Sequence, residues 1–212
     1  MQKDPREKRG LSRRTFFKAG MLSGLVPLLV GKGRSFAQIH KHPESGALIF
    51  FSPYQAAVVE AATARIIPGD ENDPGAREAG VVQYIDRALA GAYAEHQGVY
   101  RHGIRAMDSY AERKFRKNFL ELTEVQQDQV LQDMEQGKAA GFTHPSAREF
   151  FTLLHQHTIE GMFSDPVYGG NKGAAGWKLI GFPGAQYAYS AEEMRADADL
   201  SKKQIVTLKD LY

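Results

Sequence analysis

Three stretches of this chain carry the same helix-starting pattern, and together they limit the fold more than any other feature. Ser52-Pro53-Tyr54-Gln55, Thr123-Glu124-Val125-Gln126 and Ser146-Ala147-Arg148-Glu149 each place a hydroxyl residue three positions before a Gln or Glu. At that spacing the hydroxyl accepts the N–H of the third helical residue while the longer side chain bonds back to the cap's own N–H, satisfying two otherwise orphaned donors. Pro53 adds a pre-set φ at the first helical position. Behind the first box, Val58, Ala61, Ala62, Arg65 and Ile66 recur at steps of three and four. This predicts a helix to Ile67 with a narrow, small-residue stripe that lets a neighbour approach closely, closed by Pro68-Gly69. A second helix is predicted over 77–90 with Val82, Ile85 and Leu89 inward, and a third over 99–119 on Ile104, Met107 and Tyr110 or Ala111. The fourth runs from its Thr123 cap to Gly137, and the fifth follows Pro145 with Phe150, Phe151, Leu153, Leu154, Thr158, Met162 and Phe163. Apolar residues surround much of the fifth, which places it at the centre of the core or in an interface. Few runs alternate with period two and no strand–helix unit repeats. The fold class is therefore mostly α, a compact helical domain of about five helices with a long Gly/aromatic-rich irregular C-terminal segment.

That segment begins at Ser164. Asp165-Pro166-Val167-Tyr168-Gly169-Gly170-Asn171 is dense in turn formers, and Gly173, Gly176, Gly181, Pro183 and Gly184 follow with Trp177 among them. Its aromatics, Tyr168, Trp177, Phe182, Tyr187 and Tyr189, are too many for a solvated linker, so a surface outside this chain is expected to cover some of them. Residues 191–212 form a charged tail whose Ile205, Val206, Leu208 and Leu211 suit an extension along another subunit.

Residues 1–37 read as an address rather than as part of the fold. Ser12-Arg13-Arg14-Thr15-Phe16-Phe17-Lys18 precedes a weakly apolar stretch, 19–30, and then Ser35-Phe36-Ala37. This is the order of a signal peptide, with cleavage after Ala37. The apolar stretch is too short to cross a hydrocarbon core of about 30 Å. Arg13, Arg14, Phe16 and Lys18 fit the twin-arginine export signal, with Phe17 where Leu is commoner, so the domain proper is residues 38–212 and its location is the periplasm. The leader holds nine of the 27 Lys and Arg but two of the 25 Asp and Glu, so an overall charge of +2 conceals a body of −5. An acidic body repels phosphate backbones, which excludes nucleic acid as a partner. The absence of Cys excludes disulfides, thiolate metal sites, iron–sulfur clusters, c-type haem attachment and a cysteine nucleophile in this polypeptide.

Candidate chemistry is sparse. His155 and His157 stand two apart on the fifth helix and point about 200° from each other, so they cannot share an ion there. His40 and His42 fall in the N-terminal arm, and no His-Glu-x-x-His pattern occurs. The Asp70-Glu71-Asn72-Asp73 loop lacks the alternating order of a calcium loop and reads as a solvated connection. Gly169 to Gly176 matches neither a dinucleotide fingerprint nor a P-loop, so its glycines are assigned to turns with positive φ and close backbone approach. Asp165 shapes a turn before Pro166, with an acid–base role beside Tyr168 as the lesser reading. The chain carries no catalytic, cofactor or metal residue of its own on this reading.

The block Thr158-Ile159-Glu160-Gly161-Met162-Phe163-Ser164-Asp165-Pro166-Val167-Tyr168-Gly169-Gly170-Asn171, followed by Gly176-Trp177-Lys178-Leu179-Ile180-Gly181-Phe182-Pro183-Gly184, resembles the gluconate 2-dehydrogenase subunit 3 family. Ile66-Ile67-Pro68 and Gly80-Val81-Val82-Gln83-Tyr84-Ile85-Asp86 fit the same family. The resemblance implies a small subunit of a periplasmic flavin-dependent sugar or sugar-acid dehydrogenase. Its partner would be a larger, signal-less FAD-containing subunit of the glucose–methanol–choline type, with a multihaem cytochrome c as a third subunit and a route to the membrane. FAD belongs to the partner and haem c to the third subunit. The resemblance implies that the small subunit carries the folded flavoprotein through the twin-arginine translocon, which would explain a leader for prefolded cargo on a chain without a cofactor motif. Such an escort needs an interface of about 2,000 Å² or more. Asp165, Pro166, Tyr168, Gly169, Gly170, Asn171, Trp177, Phe182 and Tyr187 are the expected contact residues. Two other readings stay open: a stand-alone periplasmic oxidoreductase using Asp165, Tyr168, His155 or His157, and a subunit whose Tyr168 or Trp177 lines the partner's substrate entrance.

Overall fold

The structure, a computed structural model, describes residues 47–211. Arg13, Arg14, Phe16 and Lys18 of the expected leader, the expected cleavage position Ala37, and His40 and His42 lie outside the described residues. Among the described residues there are seven α-helices and no β-strand: α1 Pro53–Ile66, α2 Val81–Ala90, α3 Gln97–Phe115, α4 Glu124–Glu135, α5 Ala147–Phe163, α6 Ala175–Ile180 and α7 Leu208–Leu211. None of them is long and apolar enough to cross a membrane.

All three expected capping boxes form, at Ser52, Thr123 and Ser146. A fourth, Asn118 with Glu121, starts a short 3-10 turn that the hydrophobic period did not reveal. The fifth expected helix is the hub: α5 packs against α1, α2, α3, α4 and α6. Phe150, Leu154 and Met162 of α5 are fully buried, together with Ile85, Leu89, Tyr100, Ile104, Met107, Phe119 and Met134 from the helices around it. Gly103 of α3 lets the Phe150 ring lie where a Cβ would stand, 2.4 Å from the ring's Cγ, so α3 and α5 cross closely.

Two boundaries differ from expectation, each for a backbone reason. The second helix starts at Val81 rather than 77, because Gly80 takes φ of +70° and breaks the helical path after a turn over 76–80. The carbonyl of Ala79 in that turn is taken by the N–H of Lys172, so a distant segment holds the break in place. The third helix ends at Phe115 rather than 119, because Arg116 adopts the left-handed conformation and the Asn118 box restarts the chain. The stripe on α1 is also wider than the pattern suggested, since Ala56, Val59 and Thr63 are buried with Val58, Ala61 and Ala62.

Ahead of α1, residues 47–52 run without regular structure, and Asp86 of α2 accepts the N–H groups of Ile49, Phe50 and Phe51.

Candidate functional site

The segment after α5 is not a plain irregular loop. It contains 3-10 turns at Pro166–Tyr168 and Lys172–Ala174 and the short helix α6, and it is welded to the end of α5 by that helix's own unsatisfied carbonyls. The carbonyl of Gly161 accepts from the N–H of Asn171 at 2.8 Å, that of Phe163 from the Trp177 indole at 2.7 Å, and that of Ser164 from the Asn171 side-chain amide at 2.8 Å. Asn171 is fully buried, and its side-chain oxygen accepts the N–H of Gly176 at 2.7 Å. One residue thereby ties the last turn of α5 to the first turn of α6.

Two glycines make this approach possible. A Cβ on Gly170 would stand 2.3 Å from the Gly161 carbonyl oxygen, and one on Gly176 would stand 2.0 Å from that of Met162. The expected close backbone approach and positive-φ turns are both present, the latter at Gly169, Asn171, Gly173 and Ala174. Asp165 shapes its turn as expected: one carboxylate oxygen accepts the N–H of Val167 at 2.9 Å and the other that of Leu208 at 2.8 Å.

The nine expected contact residues divide into two groups. Asp165, Gly170, Asn171 and Trp177 are buried within the chain's own fold. Trp177 is 4% exposed and meets Phe182 edge-on at 5.2 Å, so it needs no outside surface to cover it. Tyr168, Phe182 and Tyr187 are exposed, Tyr187 by 83%, and Pro166 and Gly169 are half-buried. Val167, Leu179 and Ile180 join the exposed set. The segment therefore has inner groups hydrogen-bonded to α5 and, apart from them, a set of exposed apolar side chains. Beside it, Lys172, Lys178 and Leu179 line a groove of about 520 Å³ whose other wall includes Asn72 and Asp73.

The tail does not extend away from the domain. Val206 pairs with Gly184 in an isolated parallel bridge, the N–H of Ala185 donates to the Val206 carbonyl at 2.8 Å, and the Gln186 amide donates to that of Gln204 at 3.0 Å. With the Asp165–Leu208 bond, these contacts fold residues 204–208 back onto the segment. Gly184 makes the approach possible: the Val206 N–H donates to the Pro183 carbonyl at 3.0 Å across it, and a Cβ there would stand 2.1 Å from the Val206 carbonyl oxygen.

The histidines go elsewhere. His157 is buried between Tyr93, stacked at 4.8 Å, and Tyr100, whose hydroxyl lies 3.0 Å from its Nδ1. Burial holds its pKa below the ordinary value. Next to this stack, the Tyr84 hydroxyl and the Gln156 amide donate to the two oxygens of Glu160. His155 faces the Phe151 ring instead. Among the described residues no group of three or more His, Asp or Glu is placed to hold a metal ion.

A family model described as gluconate 2-dehydrogenase subunit 3 matches residues 53–184. The chain belongs to that family. No curated protein and no solved structure matches it. The matched region of this subunit 3 chain opens on Pro53, the first residue of α1, and closes on Gly184, whose backbone packs against Trp177. The matched region comprises the five-helix core and the welded segment as far as Gly184, while residues 1–52 and 185–212 lie outside it. A chain of this family is a subunit, so it works in an assembly with another polypeptide.

Sequence reasoning missed the pivotal role of Asn171. A signal existed: an Asn after two glycines tolerates a left-handed backbone while its side chain stands in for backbone groups.

Proposed function

We propose that this chain is the non-catalytic small subunit of a periplasmic FAD-dependent dehydrogenase of the gluconate 2-dehydrogenase kind. It binds the folded flavoprotein through the outer face of the 165–187 segment, stabilises it and supplies the twin-arginine leader for both. A multihaem cytochrome c is the third subunit of the complex and gives it a place at the membrane. The observation that carries this reading is the two-sidedness of the segment. Its inner groups are hydrogen-bonded and buried, while Val167, Tyr168, Leu179, Ile180, Phe182 and Tyr187 remain exposed on the outside. A chain that spends a buried Asn, a tryptophan and close-packed glycines to hold an apolar face toward solvent is built to have that face covered.

The stand-alone enzyme reading finds less support. Both oxygens of Asp165 serve backbone N–H groups, and His157 is enclosed in its tyrosine stack, so these side chains do not converge on a common reacting position.

The test is co-expression with the flavoprotein of the same gene neighbourhood. The expected result is a 1:1 complex in the periplasm, and loss of both proteins from that compartment when Arg13 and Arg14 are replaced by Lys. Unchanged flavoprotein export by the double Lys variant refutes the escort role, and a flavoprotein that never co-purifies with this chain refutes the subunit assignment to that partner.

A further inference from the structure

The N-terminal arm is fastened to the domain by one carboxylate. Asp86 lies in the middle of α2 and is 2% exposed. Its Oδ2 accepts the N–H of Ile49 at 2.7 Å, and its Oδ1 accepts those of Phe50 at 3.0 Å and Phe51 at 2.8 Å. Three consecutive backbone donors converge on the oxygens of one carboxylate side chain, in a chain stretch with no secondary structure to satisfy them. The side chains of the arm read the same surface. Phe51 is buried with its ring 5.7 Å from that of Tyr100 on α3, and the Arg101 guanidinium stands over the Phe50 ring at 4.8 Å. Tyr100 in turn meets Phe150 edge-on at 5.6 Å and His157 at 3.0 Å, both on α5.

We infer that Asp86 is a folding-dependent anchor for residues 49–51, which dock only once α2, α3 and α5 have assembled. Within 47–52 the adjacent Phe50 and Phe51 rings meet at 5.0 Å, a contact between chain neighbours that satisfies no backbone donor of the arm. Asp86 comes from α2, the aromatic partners from α3, and the support for those partners from α5, so an unassembled core offers no receptor. The consequence for export rests on the function proposed above: the expected leader is joined in sequence to an arm that docks only on the finished domain. The anchoring itself does not depend on that reading.

The experiment is amide hydrogen exchange on the full chain for wild type, Asp86→Asn and Asp86→Ala. An Asn carboxamide can replace only one carboxylate oxygen, and keeping the Oδ1 position preserves two bonds while its NH₂ confronts the Ile49 N–H. Asp86→Asn is expected to speed exchange at Ile49 by about tenfold or more, with Phe50 and Phe51 affected less. Asp86→Ala is expected to free all three amides by a similar factor while α4 and α5 keep wild-type protection. The anchor is refuted if exchange at 49–51 is unchanged in the Ala variant, or if both variants raise exchange uniformly through all the helices. A uniform rise would make Asp86 a general core residue. The export consequence is tested by co-expressing Asp86→Asn with the flavoprotein. Wild-type complex yield with export reduced several-fold supports it, and wild-type export refutes it while leaving the anchor standing. Failure of the wild-type chain to form any complex refutes the proposed function instead.

Discussion

Replacing Gly176 by Ala is expected to detach the welded segment while leaving the five-helix core intact. The added Cβ would lie 2.0 Å from the Met162 carbonyl oxygen, and that oxygen belongs to the backbone of α5, which has packed helices around it and no freedom to retreat. Cβ atoms essentially never approach heavy atoms closer than 3.0 Å, so α6 must move outward by about 1 Å. That displacement stretches the 2.7 Å bond from Gly176 to the Asn171 side chain and the 2.7 Å bond from the Trp177 indole to Phe163 beyond hydrogen-bonding range. Each bond contributes about 1 kcal/mol net, and a buried amide oxygen left without a donor costs a further 1–3 kcal/mol or so. Partial exposure of Trp177 adds about 1 kcal/mol. The total, about 4–6 kcal/mol, falls on the segment rather than on the core.

The chain has a single tryptophan, at the contact in question, so its fluorescence reports the event directly. In Gly176→Ala the emission should shift to the red and quenching by acrylamide should rise several-fold, while far-UV circular dichroism loses no more than the six residues of α6 contribute. Gly173→Ala is the matched control. Its Cβ would meet nothing within 4 Å, so only the left-handed backbone at φ of +63° is penalised, by about 1–2 kcal/mol, and Trp177 should stay buried. Wild-type emission and quenching in Gly176→Ala would refute the close approach of α6 to α5. A red shift of equal size in Gly173→Ala would show that backbone strain, not contact, governs the segment.

Two pH effects follow from buried titratable groups. Burial lowers the pKa of His157, so the unfolded chain binds its proton more readily than the folded one, and stability present above about pH 6.5 declines as pH falls through that value toward the folded pKa. Thermal melts between pH 7.5 and 5 should show that decline in wild type and a flatter profile in His157→Gln. Burial pushes the Asp133 carboxyl up, but hydrogen bonds from Lys114 and Tyr110 outweigh it and hold the pKa below the ordinary value. Its contribution is complete above about pH 4 and is lost as pH falls through the folded pKa. Asp133→Asn should therefore cost about 1–3 kcal/mol at pH 7 by denaturant unfolding and progressively less at lower pH.

Helix starts were legible because a capping box is complete within four residues, and each of the three read from the chain forms as drawn. Most of the failures involve distant residues, though the Asn118 box was local and was missed because no apolar period follows it. Nothing local marks the break at Gly80 as the end of a turn held by Lys172, since the two are joined only in the folded domain. The left-handed Arg116 has no side-chain signature, because Arg is not a residue that favours that conformation. Aromatic density in the last third of the chain signalled a large apolar surface, but the count alone could not separate Trp177, which faces inward to a carbonyl of α5, from Tyr168 and Tyr187, which face out. The return of the tail rests on one backbone bridge and one carboxylate, neither of which leaves a periodic trace in sequence. Asp86 was visible only as one more residue in a family-like helix.

The exposed face also bears on how large the partner interface is. Val167, Tyr168, Leu179, Ile180, Phe182 and Tyr187, at the exposures they show, present on the order of 600 Å² of side-chain surface, taking about 150–250 Å² for each whole aromatic. Even summed over all six side chains, that only reaches the upper end of the apolar area, roughly 300–600 Å², that a monomer commonly leaves in its largest patch. It falls short of the roughly 800 Å² that each partner contributes to a standard interface and further short of an obligate one. The deficit has a natural source at the edge of the face, where Lys172 and Lys178 are exposed beside the groove. An apolar centre with a cationic rim is the anatomy of a specific, separable interface, and it offers positive charge from a body whose net charge is −5. On the function proposed above, an escort holding its passenger through export would gain the rest of its affinity by preorganisation: with Asn171 and Trp177 already locking the segment to α5, little ordering entropy is lost on binding, so each square ångström of exposed apolar surface counts for more than it would on a loop that had first to fold.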